Sequence, residues 1–335
     1  MSLTIKTIAK MANVSCTTVS RVLNNKADVK EETRKLILDL IEKHQFQPNA
    51  FARGIQSNKS HCIGLIVPRE LDYILTNSFY AEIIRGILNA LNSKEYYLLF
   101  CNTGKPDDIV NIFRQRRVDG FIMIRLGEYD ANIITTLKSI EAPFVATTTM
   151  RGEDGMIHVD IDNYKSACMA VEYLVSLGHR HIGMIAAANS LVNSKQRLQA
   201  FEDTLAKHEL PFEACFVTED DTSMQGGYSA MKRILSAGRY PTAIFAGGDI
   251  MALGAMRAIR EAGMKIPDDI SVIGFDGIPE SEYTEPPLTT IKQPILEKGE
   301  LAAQTLLRLL EGKDDIQSVV MDAELVVRGS TARIN

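Results

Sequence analysis

At 335 residues with 45% hydrophobic side chains, the chain has room for a small domain and one large or two medium ones with full cores. No run of eighteen apolar residues occurs and no charged-then-apolar leader opens the chain, so the expectation is a cytoplasmic protein with no helical membrane span. The net charge of −5 hides an asymmetry: residues 1–60 carry ten Lys/Arg against five Asp/Glu, leaving −10 for the remainder, and a basic head on an acidic body implies that only the head meets a polyanion.

The first elements read as helix, tight turn, helix. Ile5, Ile8, Ala9 and Ala12 form one apolar face at helical spacing. Ala12-Asn13-Val14 leaves room for a short turn only. Ser15 is a good N-cap for a second helix, and Val14 with Val19 has the spacing of a hydrophobic staple. Val19, Val22 and Leu23 then face inward, while Cys16, Thr17, Ser20, Arg21 and Asn24 face outward. That outward face is small, polar and carries one arginine. Arginine suits bidentate contact with guanine in the major groove, and Thr and Ser hydroxyls suit phosphates and base edges. An ordinary three-helix bundle with a solvated face is the alternative reading. A third helix is expected from about Glu31 to His44, with Leu36, Ile37, Leu40 and Ile41 packing on the first two.

Residues 45–60 read as a linker in which Asn49 to Gln56 can form two helical turns, too short to be stable alone and weakened further by Gly54. From Cys62 onward, short apolar runs alternate with amphipathic helices. Strands are expected at Cys62–Val67, Tyr97–Cys101, Gly120–Ile124, Phe144–Thr148, Ile182–Ala186, Ala214–Val217, Ala243–Ala246 and Ser271–Phe275. Helices are expected near Phe79–Asn92, Asp107–Arg117, Ala131–Ile140, Tyr164–Leu177, Lys195–His208, Met224–Ser236 and Ile250–Ala262. Continuous apolar strands with crossover helices imply parallel sheets covered on both faces. The eight strands fall into two sets of four, with a break near Asp160–Asn163. The fold class is therefore α/β: an all-α helical head, then two similar open parallel-sheet subdomains whose facing carboxyl ends make a cleft able to close like a hinge.

Other chemistries find little support. The five cysteines (Cys16, Cys62, Cys101, Cys168, Cys215) are scattered, odd in number and fit neither a zinc spacing nor a disulfide framework, so reduced thiols and no metal are expected. Gly226-Gly227 and Gly247-Gly248-Asp249 match neither a P-loop nor a dinucleotide fingerprint, and no Ser/His/Asp constellation has a compelling spacing, so neither a catalytic group nor a cofactor is expected. His179 and His181 flank a strand start, where loop packing is their expected role. A transport binding protein would share the cleft, but the head and the missing leader oppose it.

The residues also carry a resemblance along nearly the whole chain, in order. Thr4-Ile5-Lys6, Val14-Ser15, Thr18-Val19-Ser20-Arg21-Val22, Glu32-Thr33-Arg34, Pro48-Asn49-Ala50, Ala52-Arg53 and Ile63-Gly64-Leu65-Ile66 are similar to the lactose-repressor (LacI/GalR) family. So are Arg117-Val118-Asp119-Gly120, Leu177-Gly178-His179-Arg180-His181-Ile182-Gly183, Arg197-Leu198, Gly247-Gly248-Asp249 and Pro286-Pro287-Leu288-Thr289-Thr290-Ile291. The resemblance implies a helix-turn-helix head (1–48), a hinge helix and linker (49–60) and a periplasmic-binding-protein-like core of two Rossmann-like subdomains. These would be 61–161 plus about 292–320, and 162–291 plus about 321–335. It implies a homodimer on a palindromic operator in double-stranded DNA, no membrane, and a small-molecule effector in the cleft.

By the same resemblance Cys16, Thr17 and Arg21 sit where base edges are read. Thr4, Ser15, Thr18, Ser20, Asn24 and Thr33 match phosphate-holding positions, and Ile55 matches an apolar wedge in the minor groove. Arg197 and Asp276 match effector contacts near the cleft mouth. Asp162, Arg125, Phe79, Tyr80, Asn193 and Thr222 fall at pocket positions, and Gly248 replaces a commonly polar residue. The stretch between Pro68 and Phe79 is longer than usual. Together with Arg117 to Arg125 before Asp130 it resembles the maltose/α-glucoside repressor branch, which implies a longer lid with Tyr73 and a sugar effector such as a maltose-type oligosaccharide. Control by a phosphocarrier protein, a phosphorylated sugar or a purine is the alternative.

Overall fold

The computed structural model describes residues 4–23, 26, 28–46, 59–67, 74, 76–101, 105–124, 131–149, 155–187 and 192–334. They fall into two compact units, Met1–Ser60 and His61–Asn335. Ile55 and the expected hinge helix lie outside the described residues, as do Asn24, Arg125 and, in the long stretch before Phe79, residues 69–73 (Tyr73 among them) and 75.

The described residues of the first unit hold three helices, α1 (Ile5–Met11), α2 (Cys16–Leu23) and α3 (Glu31–Lys43). Thr4 starts α1 with a capping box: its hydroxyl accepts from the Thr7 amide at 3.3 Å, and Thr7 reciprocates on the Thr4 amide. The turn is made by Asn13 at φ 52°, a left-handed conformation that asparagine tolerates. Ser15 accepts from the Thr18 amide at 3.1 Å and so caps α2. Ile8, Ala9, Ala12, Val19, Val22 and Ile37 form the core, closed by Phe46, which lies just past α3 in what the sequence presents as linker. Leu36 departs from expectation and is exposed, because the buried stripe of α3 runs through Ile37, Leu40 and Ile41.

The second unit contains two lobes. In the first, β1 (Cys62–Ile66), β2 (Tyr97–Cys101), β3 (Gly120–Met123) and β4 (Phe144–Ala146) form a parallel sheet in the order β2-β1-β3-β4. Helix α4 (Ser78–Asn92) covers one face, while α5 (Pro106–Arg114) and α6 (Ala131–Ser139) cover the other around Ile109, Phe121, Ile134 and Leu137.

The chain then crosses through β5 (Val159–Ile161) into the second lobe. There α7 (Asn163–Ser176), β6 (Ile182–Ala187), α8 (Val192–Lys207), β7 (Val217–Asp220), α9 (Met224–Leu235), β8 (Ala243–Ala246), α10 (Asp249–Glu261), β9 (Ser271–Asp276) and β10 (Thr289–Lys292) follow. The chain returns to pack α11 (Ile295–Leu310) beside α4, pairs β11 (Val319–Met321) with β5, and ends with β12 (Glu324–Val326) antiparallel to β10. The second sheet runs β12-β10-β9-β8-β6-β7, otherwise parallel.

Among the described residues, twelve strands therefore stand where the apolar runs give eight. The run Ala214–Val217 is mostly a single 3₁₀ turn, Ala214–Phe216, with the strand displaced to Val217–Asp220. Strand β4 stops at Ala146, since Thr147 and Thr148 turn into the cleft between the lobes. Helix α11, absent from the expected set, supplies Ile295, Ala302, Ala303 and Leu306 to the first lobe's core.

Candidate functional site: a cleft at the strand ends

The two sheets turn their carboxyl ends toward one another, and the free space between them amounts to about 670 Å³ when the open solvent at the mouth is counted. Residues at the starts of four helices line it: Phe79 and Tyr80 of α4, Asn163 of α7, Asn193 and Ser194 of α8, and Gly248 with Ile250 at α10. Their backbone amides give this space a positive partial charge.

Arg197 dominates one wall. Only 7% exposed, its guanidinium lies over the Phe275 ring, 3.6 Å from the centroid. Nε and one terminal nitrogen donate to Asn163 Oδ1 at 3.1 and 2.9 Å, and the other terminal nitrogen donates to the Gly247 carbonyl at 2.5 Å. That nitrogen also stands 3.8 Å from Asp276 Oδ1, so the ion pair is looser than the hydrogen bonds around it. Burial pulls the pKa of the guanidinium down, and the neighbouring Asp276, Asp160 and Asp249 oppose that.

Asp276 ends β9 at φ 126°, a conformation that costs a non-glycine residue about 1–3 kcal/mol. Gln293 holds it twice, donating from its side-chain amide to Oδ1 at 2.7 Å and from its backbone amide to the Asp276 carbonyl at 2.9 Å. Burial pushes the Asp276 carboxyl up to about 7. Arg197 opposes that rise, and the nearby Asp249 adds to it. Asp249, fully buried at the start of α10, is pushed up to about 6 by burial, against donors from Thr290, Ile278 and Gly277.

The opposite wall belongs to the first lobe and to the crossover strands. Lys298 on α11 lines the cleft at 3% exposure and donates to Asp160 Oδ1 at 2.7 Å. Asp160 also accepts from the Thr149 amide at 3.0 Å, the Ile161 amide at 2.8 Å and the Asn163 side chain at 3.4 Å. A polar chain thus runs Lys298–Asp160–Asn163–Arg197–Asp276–Gln293. At the mouth, the Ser78 hydroxyl of the first lobe donates to Glu280 of the second.

Of the cleft residues singled out from the sequence, Arg197, Asp276, Phe79, Tyr80, Asn193 and Thr222 all line this space. Asp162 does not. It is exposed and caps α7, accepting from the Lys165 amide at 2.8 Å, and the next side chain, Asn163, is the one that enters. Sequence reasoning missed Lys298, Gln293 and Asn163. Lys298 was detectable, because its spacing from Ile295, Ala302 and Thr305 places it on the buried stripe of α11.

In the head, Thr17 and Arg21 are exposed on α2, whereas Cys16 is half-buried against the core. Thr4 and Ser15 are exposed at helix starts with hydroxyls engaged in caps, and Thr18, Ser20 and Thr33 are partly buried. Arg21 pairs with Asp28 at 3.1 Å, both side chains more than half exposed, a contact worth at most about 1 kcal/mol. His179 is buried between the Thr242 hydroxyl and the Ala332 carbonyl, a packing position away from the cleft.

Comparison with known proteins places both units. Residues 4–49 match the family described as bacterial regulatory proteins, lacI family, and residues 171–331 match a periplasmic binding protein-like domain. A protein of Bacillus subtilis (strain 168) named "Probable HTH-type transcriptional repressor ExuR" is 35% identical over 334 residues, 99% of each chain. The HTH-type transcriptional repressor PurR of Mannheimia succiniciproducens is 35% identical over 341 residues, again 99% of each. Among solved structures, the lac repressor dimer bound to operator and the anti-inducer ONPF superimposes with a TM-score of 0.88 at 27% identity, covering 99% of this chain and 100% of that one. A regulator titled CelR in complex with cellobiose gives 0.76 at 27% identity, over 98% and 99%.

The chain belongs to the LacI family. It is a DNA-binding transcriptional repressor with a ligand-binding core.

Proposed function

We propose that the chain represses transcription as a homodimer gripping a palindromic operator, and that a sugar bound in the cleft changes that grip. The observation that carries the sugar is the Arg197–Asp276 wall. A guanidinium and a carboxylate lie side by side, flanked by the Asn163 and Gln293 amides. Vicinal hydroxyls each donate and accept, and such a mixed wall answers both needs with charge-assisted bonds. Phe275 offers a purine no face to stack on, since Arg197 covers it. The described lining, Asn77 of the long stretch included, supports a sugar ring; Tyr73, on which an oligosaccharide reading leans, lies outside the described residues.

Dimerisation draws support from an apolar strip on the first lobe. Leu88 of α4 and Tyr97, Leu99 and Phe100 of the edge strand β2 are exposed, Tyr97 at 74%. An apolar edge strand needs cover, and the superimposed lac repressor is a dimer on its operator.

The test is fluorescence anisotropy of full-length protein on an inverted-repeat operator recovered by in-vitro selection, titrated with hexoses, hexuronates, maltose and guanine. At least one of the saccharides is expected to shift operator affinity, and a shift with guanine alone would overturn the sugar reading. By linkage the shift equals the saccharide's preference for one state over the other.

On the same operator, Arg21→Ala should lose about 1–3 kcal/mol of discrimination between operator and random DNA. Equal loss on both would make Arg21 a phosphate contact instead. The Asp28 pair opposes the assignment little, being weak and solvated.

A further inference from the structure

Lys298 is the unexplained group of the cleft. A lysine is rarely buried, and this one occupies the apolar stripe of α11, where its neighbours Ile295, Ala302 and Ala303 pack into the first lobe's core. Its ammonium has three donors. Among the described residues one of them goes to Asp160, and the side chain lines the cleft opposite Arg197.

The charge of the walls is lopsided. Among the described residues, three charged side chains line the cleft: Arg197, Lys298 and Asp276. The other buried carboxylates turn away from it. Asp160 is occupied by two backbone amides, Asn163 and Lys298, and Asp249 by the Gly277 and Ile278 amides and the Thr290 hydroxyl. The helix starts around the cleft add further positive partial charge. A neutral sugar would leave the spare ammonium donors of Lys298 with hydroxyls alone. A carboxylate would meet them with full charge.

We propose that the ligand is a sugar acid, carrying one ionised carboxylate, and that Lys298 is the residue that selects it. This rests on the sugar reading above and narrows it. Arg197 and Asp276 hold hydroxyls at one end of the ring and Lys298 meets the carboxylate at the other. A sugar phosphate shares the anionic chemistry but brings up to two charges. Lys298 is already paired with Asp160, and Arg197 is committed to Asn163, Gly247 and Asp276.

The experiment is isothermal titration calorimetry of the full-length protein with D-galacturonate, D-glucuronate, their neutral parents galactose and glucose, glucose 6-phosphate and guanine. A hexuronate is expected to bind at least about tenfold tighter than its neutral parent. Lys298→Met should bring the two within a few-fold of each other, while Lys298→Arg keeps most of the preference. If Lys298→Met does not fold, Lys298→Met with Asp160→Asn removes the unpaired buried charge and gives the same readout. A neutral parent that binds as tightly as its uronate overturns the carboxylate and leaves the sugar reading standing. Tighter binding of the phosphate overturns the single-charge assignment. Guanine binding with no saccharide binding overturns the sugar reading itself.

Discussion

Arg197→Leu should abolish ligand control of operator binding and destabilise the core by about 3–5 kcal/mol, the cost of breaking a buried pair from one side. The arginine is hydrogen-bonded to Asn163 and Gly247, ion-paired to Asp276 and stacked on Phe275, so its loss strands several groups at once. Leucine restores apolar contact with Phe275 and nothing else. The pH dependence identifies the partner. Burial already places Asp276 at about 7, above the ordinary range of an unfolded aspartate near 4. The folded chain therefore holds an extra proton between those values, and this group's contribution to stability falls as pH rises from about 4 to 7 and is level above. Without the guanidinium the carboxyl climbs further and that window extends past 7. The deficit of Arg197→Leu, measured by urea unfolding, should be larger at pH 8 than at pH 6. Equal deficits would show that Asp276 does not sense Arg197.

The head was legible because its determinants are local. The Thr4 and Ser15 caps, the Asn13 turn and the apolar positions of α1 and α2 act within a few residues of one another. The long apolar strands were legible for a similar reason: β1, β3 and β8 are buried on both faces, so they read as unbroken runs. Strands β5, β10, β11 and β12 escaped because each is three or four residues long and made by pairing distant segments. β5 meets β11 across more than 150 residues of sequence, and β10 carries two threonines whose burial nothing local announces. Helix α11 was readable from its period, yet Gly299 and Lys298 in its first turns disguise it.

The cleft shows the same division. Arg197 and Asp276 were named through resemblance, and the structure puts both in one wall. Their supports were not named, because Gln293 reaches Asp276 from the next strand and Asn163 reaches Arg197 from another helix. Asp162 was named through resemblance, as falling at a pocket position, but the neighbouring Asn163 is the side chain that enters. Asp162 is the N-cap, and that use keeps it outside.

Gly299 and Gly86 let α11 and α4 touch backbone to backbone, and this contact sets the second large effect. A Cβ on Gly299 would stand 2.1 Å from the Ile83 carbonyl oxygen, and one on Gly86 would stand 2.0 Å from that of Leu296. Glycine costs a helix interior about 1 kcal/mol relative to alanine, so propensity alone predicts that Gly299→Ala stabilises. Packing predicts the reverse. The neighbour is main chain and cannot rotate aside, so the helices must part by more than an ångström, loosening the Ile83, Ile87, Ala302 and Ala303 contacts between them. Overpacking of this kind costs about 1–3 kcal/mol, and more where backbone must move. The expected net result for Gly299→Ala is a loss of about 2 kcal/mol, read as a drop of several degrees in Tm. Because one separation of the helices accommodates both methyl groups, Gly86→Ala with Gly299→Ala should cost clearly less than the two single losses added. A fully additive double variant would mean that each site relaxes alone, and a raised Tm for Gly299→Ala would mean that the helices do not meet this closely.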